Sequence, residues 1–243
     1  MSKVSFTLSW VLGIVVFISG CQTPQQRDTS LVRDRMEKLK PLSKYSSTVC
    51  ELKVEPTAPA KARFAQMFPG QVEGLRSEDW VYKWRQTENY CQISASSTSV
   101  VIKEQKSFLQ SSFCRLLQAY YVNSPFDELK GGVENIHSRP EAVQISWKKD
   151  SDFGIYLDRS KVGFVTKTKS RGELSADYRR FGSVYLPERL EQKHGEVRML
   201  IDQIQYASKE QEGRRPIESM WFSMGNEKPM AQAKITVQNC KSL

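Results

Sequence analysis

Five cysteines, two histidines and one Ser-x-x-Lys step are the residues of this 243-residue chain whose types could carry covalent or metal chemistry. His137 and His194 stand in unrelated segments. Neither belongs to a His-Glu-x-x-His helix, which would put two imidazoles on one face for zinc, and the chain has no Gly-x-Ser-x-Gly elbow and no P-loop. His194 precedes Gly195 in an expected hairpin turn, and His137 precedes Pro140 in an expected loop. Ser146-Trp147-Lys148-Lys149 matches Ser-x-x-Lys, but that chemistry needs the two side chains one helical turn apart. Here Val143, Ile145 and Trp147 alternate as on a strand, where residues three apart face opposite sides. With no Cys-x-x-Cys pair, a redox motif and a zinc knuckle are also disfavoured. The expectation is therefore a non-enzyme with no catalytic residue, no metal and no cofactor.

The cysteine count is odd, and the first segment accounts for the odd one. Residues 1–20 carry one charge, Lys3, and an apolar run from Phe6 to Ile18. At roughly 13 residues the run falls short of the roughly 20 needed for a bilayer-spanning helix, and it reads as an export signal. It ends in Ile18-Ser19-Gly20-Cys21, which resembles the lipobox of bacterial lipoproteins. The resemblance implies thioether lipidation of Cys21, cleavage before it and acylation of the new amino terminus. Several acyl chains, at about 0.8 kcal/mol per buried methylene, make a stable anchor. Gln22 in place of Asp after the cysteine implies, by the enteric sorting pattern, the outer membrane, with the body facing the periplasm.

Once residues 1–20 are removed, 35 basic residues face 27 acidic ones. On an exported body this excess favours anionic headgroups or cell-wall polymers, and nucleic acid is not an expected partner. Cys50, Cys91, Cys114 and Cys240 remain, an even number that suggests two disulfides with three possible connectivities. The expected pairs are Cys91 with Cys114, closing a short loop, and Cys50 with Cys240, joining the end of the chain to its beginning.

These residues need elements to position them. Residues 21–30 are polar and proline-bearing, an expected flexible tether, and a single domain is expected over residues 31–243. A short helix is predicted at residues 31–39, with Val32, Met36 and Leu39 on one face, a strand at residues 48–54, and a helical turn or two at residues 59–68 before Pro69-Gly70. Trp80, Tyr82 and Trp84 alternate with Val81, Lys83 and Arg85 ahead of a hairpin back through Ile93. From Glu104 to Tyr121 the period becomes helical, with Leu109, Phe113, Leu116, Leu117 and Tyr120 in one stripe. A shorter helix is predicted to begin at Ser124-Pro125-Phe126. From Ala142 to Tyr206 short alternating runs separated by Asp, Ser or Gly predict an antiparallel meander of about six strands, and two more strands follow near residues 217–224 and 231–240. Arg159, Lys161, Lys167, Lys169, Arg171, Arg179 and Arg180 form a basic cluster partly balanced by Asp158, Glu173 and Asp177. It reads as a solvated sheet face, or as a patch facing headgroups or a partner.

The segment from Tyr178 through Phe181, Gly182, Val184, Leu186 and Pro187, followed by His194-Gly195 and the run Val197, Met199, Ile201, Ile204 and Tyr206, resembles a signature of the LolA/LolB-like superfamily. The resemblance covers residues 105–206, about half of the mature chain, and lies in pattern rather than identity. It implies a mainly β fold: an incompletely closed antiparallel half-barrel covered by a few helices and enclosing an apolar cavity for acyl chains. The lining expected of such a cavity is Trp80, Tyr82, Trp84, Leu109, Phe113, Leu117, Trp147 and Phe164, unless these simply form the core. The function expected on this basis is a lipid-anchored outer-membrane lipoprotein that binds a hydrophobic ligand such as lipid acyl chains or a lipoprotein. The alternative is a structural lipoprotein that docks on a cell-envelope protein complex.

Overall fold

The computed structural model describes residues 23–38, 48–87, 90–121, 135–146, 154–168, 172–182, 184–209, 216–226 and 229–242. Its helices are α1 (Pro24–Lys38), α2 (Ala58–Met67), α3 (Val100–Ser111) and α4 (Phe113–Tyr121), with one 3-10 turn at Ser77–Trp80. The strands begin with β1 (Thr48–Pro56), β2 (Val81–Gln86) and β3 (Cys91–Ala95). After the helical segment come β4 (Asn135–Ser138), β5 (Ala142–Ser146), β6 (Gly154–Asp158) and β7 (Gly163–Thr168). The chain continues with β8 (Gly172–Phe181), β9 (Val184–His194), β10 (Val197–Tyr206), β11 (Ile217–Gly225) and β12 (Pro229–Ser242).

These twelve strands make one open antiparallel sheet in the order β3-β2-β1-β12-β11-β10-β9-β8-β7-β6-β5-β4. Every neighbouring pair is consecutive in the chain except β1 with β12, where the last strand returns to the first. Between Ala142 and Tyr206 the meander has the six expected strands, β5 to β10. β4 adds one where a loop around His137 is expected, pairing Ile136 with Ile145.

Because side chains alternate along a strand, register aligns the inward residues into rows. One row crosses the sheet as Val143, Leu157, Phe164, Ala176, Leu190, Ile201, Phe222, Ala233 and Pro56. Two irregularities shift the register further along. Gln203 (φ +49) falls where β10 slips against β11, so that Ile204 and Tyr206 are buried like Ile201 although the spacing from 201 to 204 is odd. Asn239 (φ +53) marks the slip of β12 against β1, in a left-handed conformation that Asn tolerates, and its amide donates to Glu51 Oε2 at 2.6 Å. The extra residue turns Cys240 toward Cys50. Pro187 sits inside β9 next to the slip between Asp177 and Tyr178, the kind of position at which a central strand can accept proline.

Both expected disulfides form. Cys50–Cys240 ties β1 to the end of β12, with Cα atoms 4.1 Å apart, and Cys91–Cys114 ties β3 to α4, with Cα atoms 5.4 Å apart. α4 packs against β3 and also against β9. On a flat sheet those strands would lie about 29 Å apart at about 4.8 Å per strand, whereas a helix is about 10 Å across. The sheet therefore curls around α4. The helical stripe expected as one helix over residues 104–121 is two, broken at Ser112, whose hydroxyl donates to Met224 Sδ at 3.3 Å.

The start of the body needs a correction. Residues 24–30, expected as a flexible tether, are the first turns of α1. The reason is tertiary: Asp28, Val32 and Arg35 recur at one helical face and are buried, and Asp28 meets Arg159 Nη2 at 2.7 Å. Arg159 also donates to Arg139 O and Ser138 Oγ, so α1 is pinned across β4 and the β6–β7 turn. Cys21, Ile18, Ser19, Gly20, Trp147 and the helix expected at Ser124 lie outside the described residues.

Candidate ligand-binding cavity

Two helices of different character roof one part of the sheet. α3 presents Val101, Ile102, Gln105 and Leu109 to the core at helical spacing, all buried. Its Gln105 is fixed by a hydrogen bond from the Tyr82 hydroxyl, and burial pushes the Tyr82 phenol well above its usual range, so it remains a neutral donor. α2 is held more lightly. Proline in its first turn favours its start, Phe68 N–H closes it on Phe64 O at 2.8 Å, and Gly70, at φ +74, turns the chain away. Of its ten residues only Ala60 is buried.

Between α2, α3 and the sheet lies a cavity of about 340 Å³. Its deep wall is Ala60, Leu109, Phe222 and Ala233, all buried, and Phe64, Phe68, Phe108 and Met224 line it at half-buried positions. Arg63, Glu104 and Met67 stand at the exposed rim, Met67 with 56% of its surface open. Phe108 lies 5.7 Å from Phe222, centroid to centroid, and Phe222 lies 5.7 Å from Phe113 in an edge-to-face pair, so the floor is a fixed aromatic cluster.

Of the residues expected to line a cavity, Leu109 does so. Trp80, Tyr82, Trp84, Phe113, Leu117 and Phe164 are not among the residues around this cavity, and each is buried in the core. The aromatic stripe is covered by three helices in turn: Trp80 meets Phe64 of α2 at 6.3 Å, Tyr82 bonds Gln105 of α3, and Trp84 meets Phe113 of α4 edge-on at 6.1 Å. The lining aromatics that the sequence reading missed are Phe64, Phe68, Phe108 and Phe222. Phe64 and Phe68 are four apart, in the last turns of α2 and at its C-cap, a spacing legible in the sequence, but Phe108 and Phe222 become neighbours only when α3 crosses β11.

Elsewhere, His137 and His194 are both exposed. Among the described residues no three of His, Cys, Asp and Glu converge as a metal site. The densest polar cluster is on the outer face. Glu191 carries 7% side-chain exposure because Arg189 (2.6 Å), Arg198 (2.6 Å) and Lys193 (3.4 Å) cover it. Burial pushes the Glu191 carboxyl up, but the hydrogen bond and charge of Arg198 and the charges of Arg189 and Lys193 outweigh it and hold it below its ordinary value. Nearby Asp202 goes the other way, with burial dominating the opposing pull of Arg189 and Arg198.

No protein-family model, curated protein or solved structure matches the chain.

Proposed function

We propose that the protein is a lipid-anchored, periplasm-facing lipoprotein of the outer membrane. Cys21 carries the anchor, and a LolA/LolB-like half-barrel takes one slim hydrophobic ligand, such as an acyl chain, between α2 and α3. The observation that carries this reading is the cavity of about 340 Å³ with aromatic and methionine walls. Ligand pockets run from about 300 to 1,000 Å³ and are mostly apolar with a few polar groups, which matches a deep wall of Leu109 and Phe222 under a rim bearing Arg63 and Glu104. Methionine suits such a wall because its unbranched, polarizable side chain adapts to the contour of the guest. The lightly packed α2 supplies a cover that can shift to admit it.

The test is titration of the chain from Gln22 onward with the fluorescent fatty acid cis-parinaric acid. The wild type takes up the probe, whereas Ala60→Phe, which fills the cavity from the α2 side, loses uptake while unfolding at nearly the same temperature. Absence of uptake by the wild type removes the ligand-binding reading. The packed state of Trp80, Tyr82, Trp84, Phe113, Leu117 and Phe164 favours a second reading, a filled barrel that docks on an envelope protein complex. In that case a detergent-resistant partner co-purifies and the probe does not bind.

A further inference from the structure

The basic cluster of residues 159–180 looks uniform in the sequence, and the structure sorts it. Arg159 is engaged with Asp28, Lys161 with Asp177 at 2.7 Å and Lys167 with Glu173 at 3.1 Å. Lys169 and Arg171 lie outside the described residues. Arg179 and Arg180 remain: both are exposed, and neither has a carboxylate partner among the described residues. They occupy the end of β8, where the β8–β9 hairpin turns at Gly182 with φ +62. Arg180 Nε donates to Gly182 O at 2.9 Å, which fixes the turn. The Arg179 guanidinium lies 4.7 Å from the Phe181 ring centroid, and Phe181 in turn packs on Tyr206 at 5.3 Å. On the other limb Val184 has 48% of its surface open, beside a half-buried Tyr185.

Arg179 to Tyr185 therefore offers two cations, one exposed aliphatic side chain, the apolar ring of Phe181 and the amphipathic ring of Tyr185, and contains no acid. This is the composition that suits a headgroup boundary. Guanidinium groups meet phosphate oxygens, and an apolar tip and ring edges enter the layer just beneath. α1 places the hairpin. Its Asp28 is held at the β6–β7 turn, and its last residue, Lys38, lies over the Tyr185 ring at 5.6 Å, so the helix runs along the end of the sheet from which the hairpin projects. α1 starts three residues after Cys21 and is about 22 Å long, at 1.5 Å per residue. If Cys21 is the anchor, this end of the sheet faces the bilayer. The orientation rests on the anchoring reading, whereas the chemistry of the hairpin does not.

We propose that the β8–β9 hairpin, through Arg179, Arg180 and Val184, is a contact surface for anionic phospholipid headgroups. The test is hydrogen exchange on the whole chain reconstituted in phosphatidylcholine bilayers and in equimolar phosphatidylcholine–phosphatidylglycerol bilayers. Exchange of residues 179–185 is expected to slow about tenfold in the anionic bilayer, because headgroup contact shields these amides from solvent. High salt should reverse the slowing, as should Arg179→Glu with Arg180→Glu; because Arg180 bonds Gly182 O, exchange of the variant in phosphatidylcholine bilayers, expected to match the wild type, shows that the turn is kept. Val184→Asp should weaken it in part. Equal exchange in the two bilayers, or slowing that the double variant retains, overturns the proposal. So does protection that polyglutamate induces and anionic lipid does not, which would mark an acidic protein surface as the partner. The intact mass of the Cys21 peptide reports the anchor separately. If Cys21 is unmodified, the anchoring reading falls, and the hairpin is tested by adding the chain to vesicles of the same two compositions, with the same outcomes expected.

Discussion

At the β3 end of the sheet, Cys91–Cys114 joins the edge strand to α4, and the Gln110 side chain bonds the open strand edge. Further in, Cys50–Cys240 joins β1 to β12. At the β4 end, α1 covers the edge through the buried Asp28–Arg159 pair, and the outer face of β7 to β10 is laced by Lys161–Asp177, Lys167–Glu173 and the cations around Glu191. The inner faces differ in the same sense. The β3 side packs Tyr82, Trp84, Ile93, Phe222 and Ile235, while β7 and β9 place Thr166 and Gln192 in the buried rows. One continuous sheet thus shares one apolar core, to which disulfides are added at one end and ion pairs at the other. Covalent staples ignore pH and salt, and ion pairs do not. The adjustable end is the one that carries α1 and the exposed hairpin.

Removing a staple should produce the largest loss. Cys50→Ser with Cys240→Ser opens a loop whose ends are 190 residues apart, and it is expected to lower unfolding stability by roughly 4 kcal/mol. Urea unfolding of the oxidised wild type and the double variant measures this. An unchanged midpoint would show that the β1–β12 ladder holds without the bond.

Arg159→Met comes next, at roughly 3 kcal/mol, because it leaves the Asp28 carboxylate, at 4% exposure, buried without its cation. The loss should be local. Hydrogen exchange in α1 and β4 should accelerate while β1 and β12 stay protected; uniform acceleration would mean that the two ends unfold as one unit.

The outer-face carboxylates sharpen the contrast through the sign of their pH dependence. Glu191 titrates below its ordinary value in the folded chain, so its stabilisation is present above the unfolded carboxylate range and is lost as pH falls through the folded value. Glu191→Gln should therefore destabilise at neutral pH, by about 1 kcal/mol given the partly exposed cations, and the difference should close in acid. Asp202 is raised, so the folded state prefers it protonated and loses stability as pH rises through the folded value. Asp202→Asn should accordingly stabilise at neutral pH. Thermal unfolding of both variants from acid to neutral pH checks the pair, and parallel curves would contradict the opposite signs.

How much of this was legible in the sequence follows from the range of the forces. Strands came through where local alternation and burial agree, as at Val143 with Ile145 and Ile155 with Leu157. The cysteine pairs were reachable because four cysteines allow few pairings. The slips at Gln203 and Asn239 have no local signature, since the first follows from the burial of Ile204 and Tyr206 and the second from the Cys50–Cys240 bond. α1 looked like a tether because Pro24 to Ser30 is polar. Its order comes from Asp28 meeting Arg159, far along the chain. The cavity beneath α2 is not legible for the same reason: Trp80, Tyr82 and Trp84 form the most conspicuous stripe and are buried in the core, whereas Phe108 and Phe222 meet only through the fold.

The smallest expected effect is at Gln110, and it tests whether the β3 edge depends on more than its disulfide. Gln110 Oε1 accepts the Ile93 N–H at 2.7 Å and its amide donates to Cys91 O at 2.9 Å, so one side chain makes the two bonds a neighbouring strand would make. An unprotected edge invites pairing with a second chain. Gln110→Leu keeps the volume and the half-buried packing but leaves one backbone donor and one acceptor without that partner, an expected loss of about 1 kcal/mol. The loss in unfolding stability should be accompanied by concentration-dependent association in sedimentation velocity, absent from the wild type. A variant that loses stability yet remains monomeric would show that Cys91–Cys114 alone keeps the β3 edge closed to other chains, and that the amide only satisfies the backbone beneath it.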